Sequence, residues 1–347
     1  MAPDSAGAEL VAAGLAVAAV VALALTWDTG RGWRRAALRS VALLLCLATT
    51  SATALLWLNR QVETYPTWSD LFGGGGDVAA THAAITPVGA PSGRRAGRVV
   101  RLTVAGRTSH LTMPVYAYLP ADYGRRPAER YPVIEALHGF PGSPMSWLRR
   151  LGVSTMLDRE IAAGRMAPTV VLFPYITPDP ARDTECTNLV HGPAAETFLT
   201  VDVPSAVESQ LRVRQDRAGW GLIGYSAGGF CATNLVLRHP TRYAAGASLS
   251  GYSDPGIVVG DGSEHTFNND DWRLRHLPVP AVALYLACAR SDPTAMRDTA
   301  ALAGLVRAPA TVTTEYVDTG GHNGPTWEAM EPPAFDWLSG WLGRPEG

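Results

Sequence analysis

Ser226, Asp292 and His322 follow one another along this chain in the order that could activate a hydroxyl for acyl transfer. A serine hydroxyl is a weak nucleophile until a histidine can take its proton, and that histidine works best when a carboxylate fixes its tautomer. Ser226 sits at the centre of Gly224-Tyr225-Ser226-Ala227-Gly228, a G-x-S-x-G pattern. In such a turn the serine occupies a strained strand-to-helix junction, and glycines on both sides let the two backbones approach closely. A bare match also arises by chance in small-residue turns of binding domains, so the flanks must decide. Arg217 to Ile223 is a short apolar run suited to a buried strand, and Gly229 to Arg238 has helical spacing ending at Pro240.

The other two members lie where strands open into loops. Val279 to Ala289 reads as a strand and runs into Arg290-Ser291-Asp292-Pro293, which makes Asp292 the preferred acid. Taken alone, Asp292 reads equally well as a helix N-cap beside a proline. Its rivals Asp254, Asp261, Asp270 and Asp271 fall in what reads as a polar loop. Thr311 to Val317 alternates like a strand and leads into Asp318-Thr319-Gly320-Gly321-His322-Asn323-Gly324, so His322 is the preferred base over His239, His265 and His276.

A tetrahedral oxyanion needs backbone donors. Tyr131 to Leu137 is strand-like and runs directly into His138-Gly139-Phe140-Pro141-Gly142. The expected donors are the amide of Ala227, the residue after the nucleophile, and that of Phe140, since Pro141 has none. His138 is expected to hold this loop rather than to act as a second base.

Leu137-His138-Gly139, Gly224 to Phe230, and Gly320-Gly321-His322 followed by Trp327 together resemble the esterase family that contains esterase D and the secreted mycolyltransferases. The resemblance covers roughly residues 96 to 345. It implies an α/β-hydrolase fold with a Ser, Asp or Glu, and His triad acting on acyl esters. Some members hydrolyse the acyl-enzyme and others pass the acyl group to a sugar hydroxyl. In the mycolyltransferases the acid is a glutamate, so the aspartate here looks more like the esterase branch.

The elements that must position these residues are legible as alternation. Val99 to Val104, Thr112 to Leu119, Pro132 to Leu137, Thr169 to Phe173, Gly219 to Gly224, Ala244 to Leu249, Val279 to Leu286 and Thr311 to Val317 read as strands. Helical patterns fall between most of them, at about Trp147 to Ala162, Val201 to Leu211, Ala227 to Leu237, Thr294 to Val306 and Trp327 to Trp341. The first two strands lack an intervening helix, as an antiparallel opening hairpin would. The pattern predicts a mostly parallel, doubly wound sheet with its site at the carboxyl ends of the strands.

Two apolar runs, Leu10 to Leu25 and Val41 to Leu58, precede all of this. Each is about long enough to cross a bilayer as a helix, for which roughly twenty residues are needed. Arg31, Arg34, Arg35 and Arg39 lie between them, while Asp4 and Glu9 precede the first. Basic loops stay in the cytoplasm, which places the remainder of the chain outside. A signal peptide is the competing reading, but no basic residue precedes the first run and no small-residue cleavage site is evident. The domain expectation is therefore a two-helix anchor over 1–58, a Gly/Pro/Ala-rich linker over 59–95 and a catalytic domain over 96–347. Within the linker, Gly73 to Gly76 lacks the Lys-Ser/Thr of a phosphate loop. Tyr65-Pro66-Thr67-Trp68 and Leu71-Phe72 suit either the membrane interface or a plain spacer.

With 347 residues and 47% hydrophobic content, the chain can bury one large core and still spare a separate segment. A formal net charge of −2 gives no indication of nucleic acid as a partner. Of the four cysteines, Cys46 lies in the second apolar run, leaving Cys186, Cys231 and Cys288. Three pairings are open to them; the favoured one joins Cys186, in a polar loop, to Cys231, with Cys288 buried on its strand. Cysteines and histidines are not spaced as metal ligands, the acidic pair Asp270-Asp271 reads as a solvated loop, and no cofactor is required. The expectation is a membrane-anchored, extracytoplasmic serine esterase using an acyl-enzyme, with acyl transfer to a sugar or lipid alcohol open. A serine peptidase and a non-catalytic cell-surface binding module are the competing classes.

Overall fold

The computed structural model describes residues 2–3, 5–62, 65, 68–72, 86–88 and 96–347. The chain divides into two compact units, residues 1–77 and 78–347.

The first unit is a helical hairpin of α1 (Ala6–Thr26) and α2 (Trp33–Val62). Both helices are long and apolar enough to cross a membrane. Ala8, Ala12 and Ala16, four residues apart on α1, are buried, and small side chains at that spacing let two helices pack closely. Outward-facing Leu10, Leu15, Leu25, Leu44, Leu47 and Leu55 are exposed, an arrangement that water disfavours and hydrocarbon does not. Charge is confined to the ends: Arg60 Nε meets Glu9 Oε2 at 2.6 Å and Arg39 meets Asp28 at 3.5 Å. Most of the stretch read as linker, including the glycine run, Pro66 and Thr67, lies outside the described residues.

The second unit is built on a nine-stranded sheet of order β1-β2-β3-β5-β4-β6-β7-β8-β9. The strands are β1 (Thr86–Val88), β2 (Arg98–Ala105), β3 (Thr112–Leu119), β4 (Val133–Leu137), β5 (Val170–Pro174), β6 (Trp220–Tyr225), β7 (Ala245–Leu249), β8 (Ala283–Ala289) and β9 (Thr311–Val317). Neighbours from β5 through β9 run parallel, while β1, β2 and β3 form an antiparallel edge joined to β5. All eight expected strands are present; β1 is a ninth, formed by three residues of the stretch read as linker. The longer α-helices are α3 (Val153–Ala162), α4 (Val203–Gln210), α5 (Ala227–Arg238), α6 (Asp270–His276), α7 (Pro293–Leu305) and α8 (Gly324–Trp341).

The central strands are buried end to end, as parallel strands covered on both faces must be. Alternate side chains therefore enter different layers. Leu222, Leu284 and Leu286 pack with Cys231, Leu235, Val203 and Leu302 of α5, α4 and α7 on one face. Ile223, Tyr285 and Ala247 pack with Leu157, Phe335 and Leu338 of α3 and α8 on the other. This is a doubly wound α/β-hydrolase fold. Helix α6 was not expected: Asp270 and Asp271 read as part of a solvated loop, yet they open a helix capped by Asn269, whose side chain accepts from Trp272 N. Asp270 is fully buried and accepts from Asn234 Nδ2 at 2.9 Å, and burial pushes its carboxyl up to about 7.

One core carboxyl makes stability depend on pH. Glu135 of β4 is fully buried, accepts from the Tyr243 hydroxyl at 3.2 Å, and is pushed by burial up to about 8, with Arg242 and Tyr243 offsetting only part of this. The folded chain keeps a proton here that the unfolded chain releases above its ordinary value of 4.5, so stability falls as pH rises and levels off past the folded value. Glu135→Gln should leave Tm close to wild type at about pH 5 and raise it at about pH 9 by on the order of 5 °C. Thermal unfolding at the two pH values checks this; an equal difference at both would assign the effect to packing instead.

Candidate active site

Strand β6 ends at Tyr225 and α5 begins at Ala227, leaving Ser226 alone to turn the chain, with φ 55° and ψ −124°. A non-glycine residue is held there only when its surroundings over-determine it. Here Ser226 N donates to Leu249 O at 3.0 Å, and Ser226 O accepts from Gly229 N and Phe230 N at 2.8 and 3.1 Å. The flanking glycines are sterically required: a Cβ on Gly224 would lie 2.0 Å from Gly228 O, and one on Gly228 would lie 2.1 Å from Leu137 O. The G-x-S-x-G pattern thus marks the place where β6, β4 and α5 converge.

His322 arrives on the loop between β9 and α8. Gly320, at φ 141°, turns the loop, Gly321 N donates to Thr326 Oγ1 at 2.9 Å, and Asn323 caps α8 by accepting from Thr326 N. The imidazole Nε2 lies 2.8 Å from Ser226 Oγ. Trp327 stands edge-on to the imidazole, ring centres 5.2 Å apart, and stacks on Tyr225 at 4.4 Å, so the first turn of α8 limits how the ring can swing.

Asp292 serves two neighbours at once. As the N-cap of α7, its Oδ1 accepts from Ala295 N at 3.1 Å. Its buried Oδ2 lies 3.3 Å from His322 Nδ1 and has no other hydrogen-bond partner. One carboxylate therefore both caps the helix and faces the imidazole. Ser291 Oγ donates to Gly320 O at 2.7 Å and ties the two loops together. This arrangement puts the Nδ1 proton toward Asp292 and leaves Nε2 to accept from the serine hydroxyl. Asp292 is nearly buried, whereas the imidazole is about half exposed, with side-chain exposures of 9% and 46%.

The rival residues go elsewhere. Asp254 and Asp261 hold turns through Gly256 N and Ser263 N. His239 pairs with Glu196 at 2.8 Å, His276 bonds Trp272 O, and His265 is exposed beside Glu264. His138 is buried, and burial lowers its imidazole to about 4. Ile176 N donates to its Nε2 at 3.3 Å and Nδ1 lies 2.8 Å from Gly139 O, so the ring is neutral and pins the loop. Gly139 brings that loop against the serine: a Cβ there would lie 3.2 Å from Ser226 Cβ. Phe140, packed against the core, follows directly, and Ala227 opens α5 on the other side. Cys186 and Cys231 are bonded, S–S 2.06 Å, and Cys288 is buried on β8. Among the described residues no His, Cys, Asp and Glu cluster is arranged to hold a metal.

The family model described as "Putative esterase" matches residues 108–336, which contain every residue of this constellation. The chain belongs to this esterase family. An uncharacterized protein of Corynebacterium glutamicum is 25% identical over 267 residues, covering 71% of this chain; the chain spans 62% of that relative's length. A ferulic acid esterase structure superposes with a TM-score of 0.61 at 19% identity, over 71% of this chain and 99% of that one. The S-formylglutathione hydrolase of Agrobacterium tumefaciens gives 0.61 at 13% identity, over 75% and 100%. At these identities the two structures establish the shared fold.

Proposed function

We propose that this protein is a membrane-anchored, extracytoplasmic serine esterase that acts on acyl esters through an acyl-enzyme on Ser226. The observation that carries the reading is the 2.8 Å contact between Ser226 Oγ and His322 Nε2, with Asp292 on the far side of the ring. As Ser226 Oγ attacks the ester carbonyl, His322 takes its proton and Asp292 stabilises the imidazolium. The amides of Ala227 and Phe140 hold the oxyanion; a first-turn amide such as that of Ala227 has no partner within its own helix. His322 then returns the proton to the departing alcohol, leaving the acyl group on Ser226. Water, activated by the same imidazole, releases the acid. A sugar or lipid hydroxyl entering at that step would accept the acyl group instead.

The anchored, outside location is supported by the two apolar helices, by the arginines between them and by the Cys186–Cys231 bond, which is at home in an oxidising compartment. A carboxy-terminal alkaline phosphatase fusion is expected to be active and a fluorescent protein fusion dark; the reverse would place the second unit in the cytoplasm. For the chemistry, purified full-length protein mixed with p-nitrophenyl butyrate and acid-quenched should carry a butyryl group on the Ser226 peptide. Adding trehalose or glycerol to the reaction separates hydrolysis from transfer, because transfer yields an acylated polyol in place of free butyrate. A quenched sample with turnover but no acyl peptide would contradict the covalent route.

A further inference from the structure

The loop joining β5 to α4 carries a carboxyl that the proposed mechanism does not use. Glu185 and Cys186 both hold left-handed backbone, at φ 44° and 52°, although neither is glycine. They are held by the Cys186–Cys231 bond to α5, by Thr184 Oγ1 donating to Ile176 O at 2.7 Å, and by Ile176 N donating to His138. Glu185 is 3% exposed. Its Oε1 accepts from the Tyr252 hydroxyl at 2.5 Å, and its Oε2 is buried. Tyr252 in turn stacks on Phe230, ring centres 5.6 Å apart and planes 14° from parallel, and Phe230 N donates to Ser226 O. Gly251, beside Tyr252, lies against Gly229: a Cβ on Gly229 would sit 2.9 Å from Gly251 Cα. The first turn of α5 is thus gripped by the Glu185 loop through a disulfide and through Tyr252.

The groups acting on Glu185 are few. Asp183 comes from the same loop and Tyr252 from the loop after β7, while α5 contributes Phe230 and the bonded Cys231, which do not titrate. Among the described residues no cation acts on it. Burial first, then the charge of Asp183 and a side-chain hydrogen bond with it, hold the Glu185 carboxyl well above the ordinary range, and Tyr252 opposes this only in part. Asp183 is itself raised by burial.

We propose that Glu185 is a positioning residue for the nucleophile: with Tyr252 it clamps Phe230 and so fixes the turn that carries Ser226. This rests on Ser226 being the nucleophile. Ionisation strengthens the Tyr252 hydrogen bond, yet it buries a negative charge beside Asp183 with no counter-charge among the described residues, and relief of that cost draws Glu185 out of the clamp. The expected consequence is an alkaline decline in kcat that the imidazole does not cause.

The test is the pH dependence of kcat for p-nitrophenyl butyrate with full-length protein, the Ser226→Ala variant serving as the blank. Glu185→Gln, a neutral isostere, should keep kcat within about threefold of wild type at neutral pH and lose the alkaline decline, expected in wild type to be on the order of tenfold. Asp183→Asn removes the neighbouring charge, lowers the Glu185 carboxyl and moves the decline to lower pH, which a purely structural role would not do. An alkaline limb unchanged in both variants, no limb in wild type, or a folded Glu185→Gln protein without activity would overturn the clamp. Loss of the nucleophile itself would look different, since wild type would then show no turnover above the blank at any pH.

Discussion

Ser226→Ala should lower kcat for a short p-nitrophenyl ester by on the order of a millionfold, to the level left by binding and oxyanion donors alone. The substitution removes a single oxygen from a half-buried side chain and opens no cavity. Ala227 and Phe140 keep their amides, and Gly224 and Gly228 still allow the turn, so Tm should move by no more than about 2 °C. Activity and stability therefore separate cleanly at this position. A variant that retains a hundredth of wild-type turnover would place the nucleophile elsewhere, and a variant that unfolds would leave the strained turn dependent on the hydroxyl.

Asp292→Asn tests the orienting group by a similar separation. Asparagine is as good an N-cap as aspartate, and its carbonyl can still accept from Ala295 N, so α7 should keep its start. What changes is the other side. An amide presented to His322 Nδ1 either meets the ring proton donor to donor or forces the proton onto Nε2, where it blocks the serine. The expected loss is about 10⁴ in kcat, with Tm nearly unchanged. Asp292→Ala should lose comparable activity and additionally about 1 kcal/mol of stability, because the cap is gone. Equal activity of Asp292→Asn and wild type would reduce Asp292 to the helix cap that its sequence context alone suggests.

The meeting of Ser226, Asp292 and His322 was legible because each sits just past the end of a strand, and in a parallel sheet those ends gather on one edge. The same rule accounts for the oxyanion loop: Leu137-His138-Gly139 follows β4, the strand beside β6, so its adjacency to Ser226 follows from strand order once the sheet is granted. Less was legible where the chain departs from period. Thr86-Pro87-Val88 is too short, and too marked by proline, to read as a strand, yet it pairs along Val99 to Arg101 at the sheet edge. Asn269-Asp270-Asp271 looked like a charged loop because burial of Asp270 depends on Asn234, thirty-six positions earlier in the sequence. An N-cap followed by two acidic residues was the available indication of α6. Glu185 was not readable as a buried carboxyl for the same reason: Tyr252 reaches it, and Cys231 its neighbour Cys186, only after folding.

The most direct measurement of the central claim is covalent capture of the nucleophile. Full-length protein treated with a fluorophosphonate probe, then digested and mapped by mass spectrometry, should carry one phosphonyl group on the peptide that contains Ser226. Ser226→Ala and His322→Ala should not label, since capture needs both the hydroxyl and its base. Labelling of wild type at any other serine, or undiminished labelling of Ser226→Ala, would contradict the account.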